Sequence, residues 1–486
     1  MKKGILISFI VIFTIIIASA LSAKPLKNAE SIIALPDTNS PFIVFNIWIR
    51  TGSQNDPKGK EGLASLTARV LAEGSTVQNS YEKIVSKLYP MAAGYDCNAD
   101  KEMTVFTGRV HKDHLAAYYE LFKNAVLSPA FKQDDFQRIK TQTLNFLSQS
   151  RRFSNDEELS KELLFQEIYR GTPYEHPSEG YVASVKSISL SDIKDFYKRH
   201  YTRNNVVVGI GGGYPKQQQN AMKKDFDALP SGTMEMPPEI QPKPVSGIKV
   251  LIVEKNTQAT PISFGYPIPM VRSNPDFYPL MLANSWLGEH RTSVSHLYQV
   301  IREKRGMNYG DYSYIEAYPK GYATQVPPTN VSRRSQIFEV WIRPVASTGD
   351  GSLHNRALFA FRAALREIDL LTEKGLTIKE FETQKNFLKN YIVNFGATAG
   401  RQLAYKIDDA FYGIKAPGFL ENARQAINRL TLESVNAEIK KSLQTKSLNV
   451  VFITKDAQGL KERLLKGDAT TITYVGKQPE SVLDED

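Results

Sequence analysis

Apolar residues follow the same succession of patterns twice along this chain of 486 residues. Each half opens with a pair of strands, continues with an amphipathic helix and further strands, and then has longer helices before a closing strand. The closing strands are NVVVGI at 205–210 and NVVFIT at 449–454. Strands are more often neighbours than alternated with helices, which favours an α+β fold with helices over a mostly antiparallel sheet.

The sequence also aligns with itself. NSPFIVFNIWIRTGSQNDP at 39–57 matches ATPISFGYPIPMVRSNPDF at 259–277 at an offset of 220, and the helical segments from Leu190 and Leu432 match at 242. A third pair of segments matches at an offset of 245. A drifting offset is expected after a duplication followed by loop insertions. Because the period is far above that of solenoid repeats, the pattern predicts a pair of similar domains and not an array.

Composition divides the chain into five segments. Residues 1–23 carry two lysines, 20 uncharged residues and small residues at the end, which is typical of a cleaved secretory signal peptide. An uncleaved membrane anchor is the alternative, because that stretch could just span a bilayer. The proline-rich MPPEIQPKPVSG at 236–247 predicts a linker between domains at 24–235 and 248–465. Residues 466–486 have few apolar anchors and predict a loose tail.

Charge and cysteine content exclude some classes of function. The net charge is +10, but the lysines and arginines are spread along the chain without a nucleic-acid motif. The charge therefore predicts a solvated surface that favours acidic peptides or an acidic partner. The single cysteine, Cys97, cannot form an internal disulfide and is expected to pack as a small core residue.

Four further segments occur in a recognisable order. They are EGLASLTARVLAEGST at 61–76, TPYEHPSEG at 172–180, LYQVIREKRGMNYGDYSY at 297–314 and GLTIKEFETQKNFL at 375–388. Together they resemble the pitrilysin/insulinase family of inverted-zincin metallopeptidases, in the short two-subunit branch similar to mitochondrial processing peptidase. The resemblance covers most of residues 30–460 and implies the same two facing α+β domains.

The resemblance implies a zinc site whose residues have been replaced. The family signature is H-x-x-E-H, in which two histidines one helical turn apart bind zinc and the glutamate moves a proton. This chain has Ser65, Ala68 and Arg69 at those three positions. The family's third ligand is a glutamate about 70–76 residues further on, and here the stretch 136–155 contains no carboxylate. We therefore expect this chain to bind no catalytic zinc and no other cofactor.

The second half keeps a different feature of the family. Arg302 and Tyr309 stand in the setting of an arginine–tyrosine pair that, in relatives, grips the substrate beside zinc. An arginine fork can hold peptide carbonyl groups, and a phenol can donate to a developing oxyanion. Without the family context, a helix-end cation and a strand aromatic would be the simpler interpretation. With it, the pair predicts a substrate-binding role.

Several other residues are weaker candidates. His111 and His114 have no third ligand nearby and are expected at the surface or in a cap. Ser191 begins an S-x-x-K pattern, but we interpret it as a helix N-cap. His290 and His296 lie near Arg302 in sequence and are expected to line the same cavity.

The sequence thus predicts a non-catalytic subunit of an exported, periplasmic heterodimeric peptidase. Its expected partners are a homologous subunit that holds the zinc and a peptide substrate, with no nucleic acid and no stable membrane anchor. The alternative is a purely structural or peptide-binding protein with the peptidase fold. Retention of Arg302 and Tyr309 favours the first hypothesis.

Overall fold

The computed structural model describes residues 32–151, 155–233, 238–319, 321, 324–345, 353–467, 471–472 and 480–481. The expected signal peptide lies outside the described residues, as does most of the expected tail. Residues 238–247 contain no helix or strand. Among the described helices, none is long and apolar enough to cross a membrane.

Two five-stranded sheets organise the fold. The first contains β1 (Ile32–Pro36), β2 (Phe42–Ile49), β3 (Gly94–Ala99), β4 (Thr104–His111) and β5 (Val206–Gly212), in the order β1-β5-β2-β4-β3. The second contains β6 (Ile248–Glu254), β7 (Ile262–Ile268), β8 (Asn308–Tyr314), β9 (Gln336–Pro344) and β10 (Leu448–Thr454), in the order β6-β10-β7-β9-β8. In each sheet only the first strand is parallel to its neighbour. The predicted α+β class with two domains is confirmed.

Helices cover both sheets. The first half has α1 (Leu63–Glu73), α2 (Tyr81–Leu88), α3 (Leu115–Leu127), α4 (Gln133–Asn145), α5 (Asp156–Ile168), α6 (Val182–Ser187), α7 (Leu190–His200) and α8 (Lys216–Asp227). The second half has α9 (Phe277–Gly288), α10 (Leu353–Lys374), α11 (Ile378–Tyr391), α12 (Ala399–Tyr412), α13 (Phe419–Arg429), α14 (Leu432–Ser442) and α15 (Ala457–Lys466). Two short π-helical turns occupy Phe146–Arg151 and Tyr298–Glu303, and β11 (Thr471–Ile472) pairs with β12 (Glu480–Ser481).

The internal duplication is confirmed by the positions of the elements. Strands β2 and β7 begin 220 residues apart, and helices α7 and α14 begin 242 residues apart, as the self-alignment predicts. The expected N-cap of α7 was wrong by two residues. Ser189, and not Ser191, accepts the hydrogen bond from the Asp192 N–H group at 3.2 Å. Serine is a preferred N-cap residue because its hydroxyl oxygen accepts a hydrogen bond from a first-turn N–H group. Both serines stand at the start of the helical pattern, so the sequence alone does not show which of them is the cap.

Each half contributes a helix to the other half's sheet. Helix α5 packs on β7, β9 and β10, whereas α12 packs on β1, β2 and β5. Leu403 and Ile407 of α12 lie in one apolar cluster with Val44 and Trp48 of β2. Gly209 of β5 permits this approach, because a Cβ atom there would lie 2.5 Å from the Cδ1 atom of Ile407. The exchange buries apolar surface from both halves together and fixes their relative position.

A buried network of four charges ties α12 to other elements of its own half. The Arg272 guanidinium binds Glu316 at 2.8 Å and Asp408 of α12 at 3.2 Å. Arg333 binds the same two carboxylates at 2.8 and 3.1 Å. Two cations and two anions balance each other, which is what burial of charge requires.

Candidate functional site

Helix α1, in the predicted zinc-helix segment, is fixed at its start by a buried carboxylate. The two oxygens of Asp56 accept hydrogen bonds from the N–H groups of Gly62 and Ala64, each at 2.7 Å. Gly62 has a φ of 98°, a left-handed conformation that glycine adopts without strain. The helix then packs against β3 and α4. The residues predicted to stand at the family's zinc positions are therefore held on a helix whose start is fixed by Asp56.

The three replacement residues do not form a metal site. Ser65 and Ala68 are buried, and Arg69 is half-buried. The Nε and Nη2 atoms of Arg69 bind both carboxylate oxygens of Glu73 at 2.7 Å, in a bidentate ion pair. Its Nη1 atom donates to the Thr143 hydroxyl of α4 at 2.6 Å. A guanidinium thus bridges α1 and α4, the two helices in which the resemblance implies the family's zinc ligands.

The surrounding groups stabilise the charge of Arg69. Burial lowers its pKa, but the hydrogen bonds and charge of Glu73 outweigh that effect and, with Cys97 and Asp96 of β3, raise the pKa above its usual value. Thr143 donates its own hydrogen to the Ile139 carbonyl at 2.9 Å, so its oxygen remains as an acceptor for the arginine. The cation is therefore permanent.

These donors do not fit zinc. Zinc in proteins is held by imidazole, thiolate or carboxylate groups, and Glu73, the carboxylate paired with Arg69, already has both oxygens bound to the guanidinium. Within the described ranges, no group of three or more His, Cys, Asp or Glu residues is placed to hold a metal ion. We derive no metal-dependent step for this helix.

Arg302 lies in the other half, on the π-helical turn Tyr298–Glu303. This turn packs against β8 and α10 of its own half. The Arg302 guanidinium lies 4.6 Å from the centre of the Tyr298 ring. Burial raises the pKa of the Asp311 carboxyl well above its ordinary value, and the hydrogen bond from Asn308 and the charge of Arg302 offset only part of that rise. Tyr309 belongs to β8, and its side chain lies outside the described residues.

The remaining histidines have structural partners. His290 is buried, and its ring nitrogens lie 2.9 Å from the Tyr314 hydroxyl and 2.9 Å from the Gly321 carbonyl oxygen. Burial lowers the pKa of His290 to about 4. His296 binds Glu367 at 2.6 Å and stacks on a tryptophan. His111 accepts a hydrogen bond from the N–H group of Asp113 at 3.4 Å, in the capping role expected of it.

Sequence reasoning missed a cleft on the first sheet. Its volume is about 810 Å³, and it lies between the face of β2, β3 and β4 and the N-terminal end of α12. Asn46 lies in its wall, within the otherwise apolar strand FIVFNIWI. A buried amide in such a strand is a signal that the sequence did offer, since buried polar groups require partners.

Two models of one protein family match this chain. Residues 32–180 match the family model described as Insulinase (Peptidase family M16), and residues 187–388 match the Peptidase M16 inactive domain. The chain belongs to the insulinase family. The helix with Ser65, Ala68 and Arg69 lies in the part that matches the peptidase model, and Arg302 lies in the part that matches the inactive domain.

Two relatives and one solved structure illustrate the similarity. The Non-peptidase homolog YmxG of Helicobacter pylori is 23% identical over 456 residues, which covers 93% of this chain and 99% of the relative. The Zinc protease PqqE of the same organism is 22% identical over 284 residues, covering 55% of this chain and 61% of the relative. The crystal structure of a peptidase M16 inactive domain from Pseudomonas fluorescens has a TM-score of 0.75 and 23% identity, and covers 87% of this chain and 95% of that one.

Proposed function

We propose that this chain is the non-catalytic subunit of an exported, periplasmic zinc metallopeptidase made of two homologous subunits. The partner holds the zinc, and this chain supplies Arg302 and Tyr309 to bind peptide substrate beside it. The observation that carries the proposal is the bridge from Arg69 to Glu73 and Thr143. A chain that keeps the peptidase fold but fills the zinc position with its own cation needs another chain for the chemistry.

The relatives support a pair of unlike subunits. Helicobacter pylori has one relative named a non-peptidase homologue and another named a zinc protease, and this chain is similar to both. A genome that encodes both kinds of protein has the parts for such a pair.

The surroundings of Arg302 suit a binding role. The side chain is half-buried, and the Tyr298 ring and the Asp311 carboxyl lie beside it. A side chain restricted in this way loses little conformational entropy when it binds a peptide carbonyl. The phenol of Tyr309 would donate a hydrogen bond where negative charge develops at the scissile carbonyl.

The test combines this chain with the zinc-bearing homologue from the same genome and measures cleavage of a quenched fluorescent peptide. We expect the mixture to cleave the peptide faster than either protein alone. In the mixture, Arg302→Ala should lower turnover about 10²–10³-fold, as the loss of one preorganised donor typically does. Lys304→Ala is the matched control, because Lys304 is an exposed cation two residues further along.

Two results would contradict the proposal. Cleavage by this chain alone, abolished by a chelator, would show that it is an active peptidase. If the complex that carries both Arg302→Ala and Tyr309→Phe cleaves the peptide at the wild-type rate, the pair plays no part in turnover. That result would favour the purely structural alternative. Size-exclusion chromatography of each variant separates a loss of assembly from a loss of catalysis.

A further inference from the structure

The cleft on the first sheet has the size and the polar groups of a ligand site. At about 810 Å³ it lies within the range of small-molecule and peptide pockets. The first half contributes Asn46, Asp96 and Arg109, and the second half contributes Asn330 and the start of α12. Both halves therefore build it, and β3, which forms one wall, is the strand that packs against α1.

Asn46 has an unused hydrogen-bonding group in this wall. Its side chain is 3% exposed, and its amide nitrogen reaches only Asn330, at 3.5 Å. Its Oδ1 atom has no hydrogen-bond partner among the described residues. A buried carbonyl oxygen without a donor costs about 1–3 kcal/mol. A ligand that presents an N–H group would satisfy it.

The opposite wall attracts negative charge. Thr398 caps α12 by accepting a hydrogen bond from the Arg401 N–H group at 3.3 Å, and the first-turn N–H groups of Ala399 and Gly400 have no intrahelical acceptor. The Arg401 guanidinium is held in place by the Phe395 and Pro327 carbonyl groups, each at 2.7 Å. The positive end of the helix dipole adds to this charge.

A second arginine extends the positive side of the cleft. The exposed Arg109 stacks on Phe42, with its guanidinium 3.7 Å from the ring centre. Asp96 is the one carboxylate in the lining, against two arginines and the helix terminus. A negatively charged group is therefore favoured over a positive one.

We propose that this cleft binds a peptide carboxylate at the start of α12, while Asn46 pairs with an N–H group of the same peptide. A peptide carries both features, an anionic group and an amide donor a few bonds away. The inference rests on the proposed function for the class of ligand, but its test needs neither zinc nor the partner subunit. The carboxylate is that of the peptide C-terminus or that of an acidic side chain, and the test separates the two.

Gly400 gives a variant that closes the site without damaging the helix. A Cβ atom there would meet no described atom within 4 Å, so a longer side chain enters the open cleft. Glutamate in the first turn favours the helix and replaces a poor helix former. Gly400→Glu therefore places a competing carboxylate at the proposed anion site. Gly400→Gln has the same size without the charge and is the matched control.

The assay measures fluorescence anisotropy on the full mature chain alone. The probes are N-terminally labelled octapeptides of alternating alanine and serine with a free carboxylate, with an amidated end, and with an amidated end after a final glutamate. We expect the free carboxylate to bind about 10–100-fold more tightly than the plain amide. Recovery of affinity by the glutamate peptide assigns the site to acidic side chains, and no recovery assigns it to C-termini.

The variants then test the location. Gly400→Glu should weaken binding of the free-carboxylate peptide about 10–100-fold, while Gly400→Gln stays within about 3-fold of wild type. Asn46→Leu, of similar volume, should weaken binding about 5–10-fold and leave the melting temperature equal or higher, since it removes an unpaired oxygen. Equal binding of the free and plain amidated peptides, no binding by wild type, or full binding by Gly400→Glu would overturn the inference. Each of these outcomes leaves the cleavage test of the mixed subunits unaffected.

Discussion

Replacing Arg69 by methionine should weaken the contact between α1 and α4. The side chains of Arg69 and Glu73 are 26% and 31% exposed, so their bidentate pair contributes about 1 kcal/mol, near the upper end for partly solvated pairs. The charged hydrogen bond to the buried Thr143 adds about 1–2 kcal/mol. The expected loss is therefore about 2 kcal/mol in the free energy of unfolding, which lowers the melting temperature by about 4–8 °C.

A double-mutant cycle isolates the ion pair. Arg69→Met, Glu73→Gln and the double variant are unfolded thermally and in urea, and the coupling energy is expected to be about 1 kcal/mol at low salt. Thr143→Val removes the second interaction separately. The matched control is the pair Lys223 and Asp227 on α8, which has the same spacing but side chains 54% and 39% exposed.

The exposed α8 pair sets the scale against which the coupling of Arg69 to Glu73 is judged. An exposed pair of this spacing contributes about 0.3–0.5 kcal/mol, and 1 M salt should remove most of that coupling. The coupling of Arg69 to Glu73 should persist in part under the same conditions. If this coupling does not exceed that of the α8 pair, the half-buried setting does not strengthen the ion pair. If Arg69→Met is as stable as wild type, or if Thr143→Val shows no coupling to it, the guanidinium does not hold the two helices together.

Three further predictions concern metal, processing and pH. Elemental analysis should find less than about 0.1 zinc per purified chain, because Arg69 already occupies the metal position with a fixed charge; about one zinc, lost on substitution of Arg69, would contradict this. The mature protein should begin near Leu21 or Lys24, and mass spectrometry that finds residue 1 on a membrane-bound chain would show an anchor instead. Burial raises the pKa of Glu339 to about 7, so the folded state holds this proton more tightly than the unfolded state, and the resulting stability is lost as pH rises through about 7. Glu339→Gln should therefore stabilise the protein by about 2–3 kcal/mol at pH 8 and hardly at pH 4.5, as measured by urea unfolding at the two pH values.

The architecture could be predicted from the sequence because it depends on which residues of each strand and helix are buried, and the order of apolar residues shows this. The alternation in FIVFNIWI places Ile43, Phe45 and Ile47 on one face of β2 and Val44 and Trp48 on the other, and both faces are buried in separate clusters. Periodicity of this kind reflects burial directly. The self-alignment succeeded for the same reason, since both halves repeat one burial pattern.

The packing of α5 and α12 on the sheet of the other half could not be predicted from the sequence. Helices α5 and α12 are amphipathic or neutral in the same way as their neighbours, and periodicity says which face is buried but not against which sheet. The partner of Arg69 was equally hidden. Thr143 lies 74 residues further along, and an absent carboxylate in that stretch predicts only what the site lacks. Contacts between distant segments follow from topology, which a local pattern does not specify.

At the positions where the resemblance implies a zinc motif, the residues of this chain satisfy one another's polar groups. Removing zinc alone would leave ligand side chains between α1 and α4 with unpaired polar atoms, which is costly in a buried position. Here Ala68 has no polar side-chain atom, and Arg69 satisfies both oxygens of Glu73 and the hydroxyl of Thr143. A covalently attached cation keeps the two helices together whether or not zinc is present. Under the proposed function the partner would hold the metal, and this contact would keep the fold of the present chain independent of zinc.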